Sequence, residues 1–144
     1  TQWADTDFDG YGDNATGNQP DACPSVVGNS TADRFGCLDS DGDGASDADA
    51  LWTIANGADA CNTTPGTSNI DRYGCPDADG DGASDPDPNG TYGSAWTTTD
   101  GADIWPNDST QWNDTDADGY GDNPPPATTG DSCPTTSGNS SADR

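Results

Sequence analysis

Aspartates at alternate positions form four short acidic segments that could bind a metal ion. The first consists of Asp5, Asp7 and Asp9, followed by Gly10 and Asp13. Carboxylates on alternate residues of a tight turn converge on one point, and the glycine permits the sharp reversal. The same spacing recurs at Asp39, Asp41, Asp43 and Asp47; at Asp77, Asp79, Asp81 and Asp85; and at Asp114, Asp116, Asp118 and Asp122. We call these segments loops 1 to 4, spanning residues 5–13, 39–47, 77–85 and 114–122.

This spacing matches positions 1, 3, 5, 6 and 9 of the helix–loop–helix calcium motif. That motif takes a backbone carbonyl at position 7, where this chain has Tyr11, Ala45, Ala83 and Tyr120. Hard carboxylate oxygens with no histidine or thiolate nearby favour calcium over zinc or copper, and magnesium seldom occupies an all-protein cage. The alternative is a solvated acidic linker without metal, but four copies with glycine at one position argue against it.

Position 12 of each loop lacks the bidentate glutamate of that motif. The residues there are Thr16, Ala50, Pro88 and Pro125. The missing oxygens must therefore come from other aspartates downstream of the loops. We expect six to complete the sites: Asp21, Asp49, Asp59, Asp87, Asp103 and Asp131. Lesser candidates are Asp33, Asp71, Asp100 and Asp108.

The composition excludes a normal hydrophobic core. The 144 residues carry a net charge of −24, and all 27 acidic residues are aspartates, opposed by three arginines. Leu, Ile, Val and Phe together number nine, too little apolar area to offset chain entropy. Such a chain is disordered unless metals and disulfides hold it, and the aspartate-only bias favours the second case. The charge balance also excludes nucleic acid as a partner, and no apolar run of about 18 residues could span a membrane.

The cysteine spacing predicts two disulfides. Cys23 and Cys37 lie 14 residues apart, as do Cys61 and Cys75. We predict the pairs Cys23–Cys37 and Cys61–Cys75, and hence an oxidising, extracellular or cell-surface location. Other connectivities and a zinc site are the alternatives, although the chain has no C-x-x-C and no histidine. Cys133 is left over, and the repeat predicts its partner beyond residue 144.

The third junction between loops has tryptophan in place of cysteine. Trp105 and Trp112 stand where Cys61 and Cys75 stand one module earlier. We predict that the rings of Trp105 and Trp112 pack together where the disulfide would be. The alternative is a sugar-binding platform made of exposed tryptophans.

Two further tryptophans and two arginines also recur at matching positions. Trp52 and Trp96 each stand seven residues before an aspartate expected to complete a site, and Arg34 and Arg72 each follow an aspartate. For the arginines we expect a structural slot, paired with a candidate ligand aspartate or stacked on a ring, rather than recognition of a partner.

Asparagines in N-x-S/T sequons are enriched and predict N-linked glycans. Seven of the eleven asparagines begin a sequon: Asn14, Asn29, Asn62, Asn89, Asn107, Asn113 and Asn139. Segments rich in threonine and proline also suit O-linked sugar. The alternative is that the sequons are by-products of loops rich in asparagine and threonine.

Internal repeats divide the chain into modules. The stretch "TQWADTDFDGYGDN" (1–14) recurs as "TQWNDTDADGYGDN" (110–123), giving a period of about 110 residues. We predict modules at 1–38, 39–76 and 77–113, with 114–144 starting the next cycle, and expect a window on a longer array. Frequent glycine and proline break long elements, so we expect loops stacked in one dimension with one short helical turn within 50–59.

These motifs resemble thrombospondin type 3 repeats, in which a D-x-D-x-D-G-x-x-D loop precedes D-x-C-P and cysteines link neighbouring modules. The likeness is carried by "DTDFDGYGD" with "DACP", "DSDGDGASD" with "DACN" and "DTDADGYGD" with "DSCP", and covers nearly the whole chain. The resemblance implies calcium-wrapped loops with little regular secondary structure in an extracellular protein. The chain departs from the pattern at Trp105, which replaces cysteine, and at Asn62, which replaces proline.

The predicted fold has little regular secondary structure and consists of calcium-stapled, disulfide-linked tandem loop repeats forming an extended rod. The expected function is structural, as a calcium-rigidified, glycosylated filament or cell-surface stalk that contacts neighbouring repeats and could self-assemble into fibres. The alternatives are a calcium-dependent adhesin or protein- or glycan-binding module, and a passive spacer in a larger secreted enzyme. We expect no catalysis, because the chain has no histidine, lysine or glutamate and its cysteines pair.

Overall fold

The chain folds with almost no regular secondary structure. The computed structural model describes residues 4–124, 126–127 and 129–138, so the predicted sequon at Asn139 lies outside the described residues. Within those ranges the only helical element is a 3₁₀ turn at Ile54–Asn56, and strand pairing is limited to isolated bridges. No helix in this part of the chain is long and apolar enough to cross a membrane. The prediction of a loop-rich fold is confirmed, whereas the rod remains a prediction.

The 3₁₀ turn lies in the segment where a helical turn was predicted. The Thr53 hydroxyl donates to Asn56 Oδ1 at 2.8 Å at the start of the turn, and Gly57 ends it with a φ of 103°. Glycine tolerates this left-handed conformation because it has no Cβ. A related turn follows Trp96, where the Thr97 hydroxyl donates to Asp100 Oδ2 at 2.6 Å. The sequence match between the two tryptophan segments therefore reflects a shared local structure.

Two disulfides and small buried side chains take the place of a hydrophobic core. The pairs Cys23–Cys37 and Cys61–Cys75 are formed as predicted, with Cα–Cα distances of 5.1 and 5.0 Å, and Cys133 is free and exposed. The buried apolar side chains are Cys37, Ala58, Cys61, Cys75, Ala83 and Ala102. Disulfides persist outside the reducing cytosol, so both bonds indicate an oxidising compartment.

The chain divides into two compact units. One comprises Thr1–Thr67 and Arg72–Pro76, and the other comprises Ser68–Asp71 and Asp77–Arg144. Loops 1 and 2 and both disulfides belong to the first unit, and loops 3 and 4 belong to the second. The four predicted modules remain a description of the sequence repeat.

Candidate metal centres

Each acidic loop brings three carboxylates together. In loop 2, one oxygen from each of Asp39, Asp41 and Asp43 lies within 4.8 Å of the others. The same holds for three other triplets: Asp5, Asp7 and Asp9; Asp77, Asp79 and Asp81; and Asp114, Asp116 and Asp118. Converging carboxylates repel one another unless a cation or protons neutralise them. All four triplets could therefore hold a metal ion.

The first aspartate of each loop closes the turn through the backbone. Asp39 accepts the N–H of Gly42 at 2.7 Å on Oδ1 and the N–H of Gly44 at 2.9 Å on Oδ2. The glycine at position 6 has a φ between 92° and 104° in all four loops, which explains why the sequence keeps glycine there. Asp5 and Asp77 accept the two equivalent N–H groups, and Asp114 accepts the N–H groups of Asp118 and Gly119.

The last aspartate of each loop is tied to the second residue. Asp47 accepts both the N–H and the hydroxyl of Ser40, at 3.1 and 2.5 Å. Loop 3 has Ala78 at this position, so Asp85 receives only a backbone N–H at 3.3 Å. The threonine–aspartate pairs that repeat the loop 2 arrangement are Thr6 with Asp13 and Thr115 with Asp122. These hydrogen bonds hold each loop closed, whether or not the aspartate also binds an ion.

The central aspartate, at position 5, accepts fewer hydrogen bonds in loop 3 than in the other loops. In loop 2, Asp43 accepts the N–H of Ala45 at 2.8 Å on Oδ1 and the N–H of Gly66 at 2.9 Å on Oδ2. In loop 3, Asp81 Oδ1 accepts the N–H of Ala83, but its Oδ2 is buried without a hydrogen-bond partner. The downstream glycine donates at 3.1 Å in loop 1 and 2.8 Å in loop 4, through Gly28 to Asp9 and Gly138 to Asp118. The carbonyls of Tyr11, Ala45, Ala83 and Tyr120 remain predicted ligands.

A buried aspartate from further along the chain accompanies each of loops 1 to 3. Asp21, Asp59 and Asp103 are only 6%, 2% and 1% exposed. Each accepts the N–H two residues ahead on Oδ1 at 2.7 Å, whereas its Oδ2 is buried without a hydrogen-bond partner. A buried carboxylate oxygen is costly unless a donor or a cation satisfies it. These three oxygens therefore fit the ligands missing from the loops.

One backbone hydrogen bond places each of these aspartates beside its loop. In loop 2 the N–H of Asp59 donates to the carbonyl of Ser46 at 2.9 Å, one residue before Asp47. The same bond is made at 2.8 to 3.0 Å in the other loops, by Asp21 to Gly12, Asp103 to Ser84 and Asp131 to Gly121. The completing aspartate is thus fixed by a carbonyl of the loop that it accompanies.

The pKa shifts also assign Asp59 to loop 2 and Asp103 to loop 3. Burial, together with the charges of the loop 2 carboxylates, raises the pKa of Asp59 to about 7 despite the N–H bond from Cys61. Burial and the carboxylates of loop 3 likewise raise the pKa of Asp103 to about 7. In loop 4, desolvation and the charges of Asp118 and Asp131 raise the pKa of Asp116. Asp59 and Asp103 therefore each feel the negative charge of the loop before them.

Asp49 and Asp87, the other two aspartates expected to complete a site, have different partners. Asp49 is 43% exposed in its side chain and bonds Arg34 Nη1 at 2.7 Å, which lowers its pKa to about 2. Asp87 accepts the N–H groups of Thr91 and Tyr92, both at 2.8 Å. Neither belongs to a carboxylate triplet. Both instead cap the segments that lead to the recurring tryptophans.

Arg34 occupies the structural slot that the sequence predicted. Besides its bond to Asp49, its guanidinium lies 5.6 Å from the ring centroid of Trp52, a cation–π geometry. The Trp52 indole N–H donates to Asp33 Oδ2 at 3.2 Å. Arg34 and Trp52 therefore brace the segment between loop 2 and Asp59.

The predicted ring pair at the third junction is wrong. Trp105 and Trp112, both among the described residues, make no ring contact with each other. Instead the N–H of Ile104 donates to the carbonyl of Trp112 at 3.1 Å, and the Trp105 carbonyl accepts the N–H groups of Asn107 and Asp108. Seven residues separate the tryptophans, against 14 between paired cysteines, so the short segment closes as a backbone turn.

Two supporting residues were not recognised as such in the sequence. Asp33 accepts the N–H and hydroxyl of Ser46 at 2.9 and 2.7 Å, and Asp71 makes the matching bonds to Ser84. Both serines are fully buried and carry the carbonyl that fixes a completing aspartate. The available signal was the constant offset of 13 residues between aspartate and serine.

Gln111 supports loop 4 and was also missed. Its side chain is fully buried, donating to the Asn123 carbonyl at 2.7 Å and accepting the Asn123 N–H at 3.0 Å. Gly121 lies so close that a Cβ there would stand 2.0 Å from Gln111 Oε1. The signal was the repeated "TQW", which ends just before loop 4.

Comparison with known proteins yields no relative: no family model, no curated protein and no solved structure matches this chain. The likeness to thrombospondin type 3 repeats therefore rests on the residues alone. What the geometry defines is a set of aspartate triplets, three of which are accompanied by a buried aspartate with an unpartnered oxygen.

Proposed function

We propose that this chain is a structural, non-catalytic extracellular protein, a calcium-rigidified and glycosylated repeat rod that serves as a filament or cell-surface stalk. The proposal rests on one observation above all, the unpartnered buried Oδ2 atoms of Asp21, Asp59 and Asp103. With the loop carboxylates they form an all-oxygen donor set, and calcium takes six to eight oxygens in flexible geometry. Magnesium demands a near-ideal octahedron and keeps several waters, so it fits such crowded carboxylates less well.

A bound cation would link local turns into a continuous structure. In loop 2 the ion would join the triplet to Asp59, whose Oδ1 already accepts the N–H of Cys61 at the disulfide. Ion, completing aspartate and disulfide therefore follow one another along the chain. Because the sequence has too few apolar residues for a hydrophobic core, the free energy of ion binding would supply much of the folding energy.

The exposure of the sequons supports glycosylation. Five sequon asparagines are exposed: Asn29, Asn62, Asn89, Asn107 and Asn113. Asn14 is partly buried. Disulfides and N-linked glycans are acquired in the same oxidising secretory compartments, so the two predictions agree in location.

Scattering and circular dichroism with and without calcium test the rod. We expect the calcium-loaded chain to have a fixed extended profile, and chelation to change its dimensions and spectrum because the aspartates then repel one another. Calcium should restore both signals, whereas magnesium at equal concentration should not. Identical dimensions with and without chelator would contradict the proposal.

A calcium-dependent adhesin is the second candidate, and Phe8 favours it. Its side chain is 86% exposed in loop 1, and its φ of 67° is a left-handed conformation that strains a non-glycine residue. A cation in loop 1 would hold this apolar side chain at the surface. Calcium-dependent retention on a glycan array that Phe8→Ser abolishes would favour the adhesin, and retention unchanged by the substitution would count against it.

A further inference from the structure

Loop 3 differs from the other loops in the hydrogen bonds that its central aspartate receives. Asp9, Asp43 and Asp118 each have one oxygen bonded to a glycine N–H from 19 to 23 residues downstream. Asp81 has no such donor, and its Oδ2 is buried without a hydrogen-bond partner. In loop 3 the Oδ2 atom of the central aspartate therefore lacks the backbone hydrogen bond that the corresponding oxygen accepts in the other three loops.

In loops 1 and 2 the donor glycine lies against a disulfide cysteine, whereas in loop 4 Gly138 donates although Cys133 is free. Gly28 and Gly66 are pressed against the backbone of Cys37 and Cys75, so closely that a Cβ at either would lie about 2 Å from the cysteine carbonyl carbon. These two contacts accompany the glycine bonds to Asp9 and Asp43. The module of loop 3, residues 77–113, contains no cysteine, so this glycine–cysteine contact has no counterpart there.

A second carboxylate of loop 3 also accepts fewer hydrogen bonds than its counterpart. Asp85 lacks the hydroxyl donor that Ser40 supplies to Asp47, because Ala78 stands at that position. Position 9 of loop 3 therefore receives one side-chain bond fewer than its counterpart in loop 2.

Asp103 independently indicates a ligand at loop 3. It is 1% exposed, its Oδ2 has no hydrogen-bond partner, and the charges acting on it are those of Asp81, Asp79 and Asp85. A side chain so completely buried does not meet its missing partner in bulk water. With Asp79 Oδ2 and Asp81 Oδ2, loop 3 has three such oxygens, against two in loop 2 at Asp41 and Asp59.

We propose that loop 3 is a distinct class of divalent-cation site, in which Asp81 binds the ion through both carboxylate oxygens. The second oxygen takes the place of the bidentate glutamate that position 12 lacks. Loops 1, 2 and 4 bind through one oxygen of the corresponding aspartate and fill the remaining position with water. This inference rests on the proposed function, because it assigns the ligands of the same cation sites.

A crystal structure of the calcium-loaded full chain tests the assignment directly. We expect Asp81 Oδ2 at a calcium–oxygen distance of roughly 2.3–2.6 Å. We also expect Asp43 Oδ2 to keep its bond to the Gly66 N–H. Calcium in loop 3 with Asp81 Oδ2 outside this range would overturn the inference while leaving the proposed function standing. Absence of calcium from all four loops would overturn both.

A matched pair of variants tests the same point in solution. Europium luminescence lifetimes in H₂O and D₂O count the water molecules on each bound ion. The ion in loop 3 should hold about one water molecule fewer than the ions in the other loops. Asp103→Asn should weaken binding at loop 3 and so raise the mean water count of the ions that remain bound. Asp59→Asn should weaken binding at loop 2 and so lower that mean count. Equal shifts in the two variants would contradict the inference.

Discussion

Loops 2 and 3 have the same acidic spacing but are fastened by different means. Loop 2 leads to the Cys61–Cys75 disulfide, where Gly66 lies against the Cys75 backbone and donates to Asp43, while loop 3 leads to a short turn at Trp105 with no covalent closure. Both nevertheless place a buried aspartate at the loop through the same backbone bond to position 8. The comparison shows that the carboxylate arrangement does not require the disulfide. What differs between loops 2 and 3 is how many hydrogen bonds their carboxylates receive.

The largest expected effect concerns order in the absence of ions. The N–H of Thr67 donates to the Cys75 carbonyl in the disulfide region, and the N–H of Ile104 donates to the Trp112 carbonyl, both at 3.1 Å. Under chelator we expect the Thr67 amide to stay protected from hydrogen exchange and the Ile104 amide to exchange rapidly. Replacing Cys61 and Cys75 by alanine should cost the Thr67 region about 3 kcal/mol, or roughly 100-fold in protection. Equal protection of the two amides in the wild-type chain under chelator would contradict the proposed difference between loops 2 and 3.

The next effect concerns the completing aspartates. Asp59→Asn and Asp103→Asn should each weaken calcium binding at one loop by roughly 10- to 100-fold, because a buried anionic ligand is lost. Asp49→Asn is the matched control, since Asp49 bonds Arg34 and belongs to no triplet. Calcium titration by calorimetry measures all three variants. If Asp49→Asn weakened binding as much as Asp59→Asn, the assignment of the completing ligand would be wrong.

A further prediction concerns pH. Asp59 and Asp103 have pKa values of about 7 without ions, raised from 3.8. Between these values the folded chain holds protons that the unfolded chain does not, so the stability of the ion-free state falls as pH rises through this window. A cation must displace the same protons, so calcium affinity at loops 2 and 3 should rise about tenfold from pH 6 to pH 8.

Calorimetry in buffers of different ionisation enthalpy checks the pH prediction. At pH 6 calcium binding should release about two protons from these two aspartates, and at pH 8.5 the release should approach zero. An affinity independent of pH over this range would show that neither carboxyl is protonated in the ion-free chain.

The smallest expected effect comes from the hydroxyl that differs between the loops. Ser40→Ala removes the donor to Asp47, and Ala78→Ser supplies one to Asp85. We expect opposite changes in the calcium-free unfolding free energy of about 0.5–1 kcal/mol, the usual range for one hydrogen bond. Denaturant titration monitored by tryptophan fluorescence measures both variants. Changes of the same sign would show that the hydroxyl is not what distinguishes the loops.

The local parts of this structure could be predicted from sequence, and the longer-range parts could not. Alternate aspartates before a glycine predicted the triplets, and the cysteine spacing predicted both disulfides, because turn geometry and loop closure act over short separations. Which of the expected aspartates completes a loop depends on a backbone bond such as Asp59 to Ser46, which leaves no mark in composition. Asp49 and Asp59 were both expected to complete a site, yet Asp49 bonds Arg34 and Asp59 has an unpartnered oxygen, while Asp33, a lesser candidate, holds Ser46.

The prediction of a tryptophan ring pair at the third junction failed for a related reason. Analogy with cysteine suggested that Trp105 and Trp112 replace a disulfide by ring packing. Backbone groups must be satisfied first, however, and a seven-residue separation lets the Trp105 carbonyl accept two N–H groups in a tight turn. Side-chain pairing across such a turn is secondary to its hydrogen bonds.

Equilibrium calcium binding to the full chain, measured by calorimetric titration, tests the central claim most directly. The account predicts at least four bound ions per chain, one for each aspartate triplet. It also predicts that two of them bind roughly 10- to 100-fold more weakly in the double variant Asp59→Asn, Asp103→Asn. No calcium binding by the wild-type chain, or unchanged affinity at every site in the double variant, would contradict it.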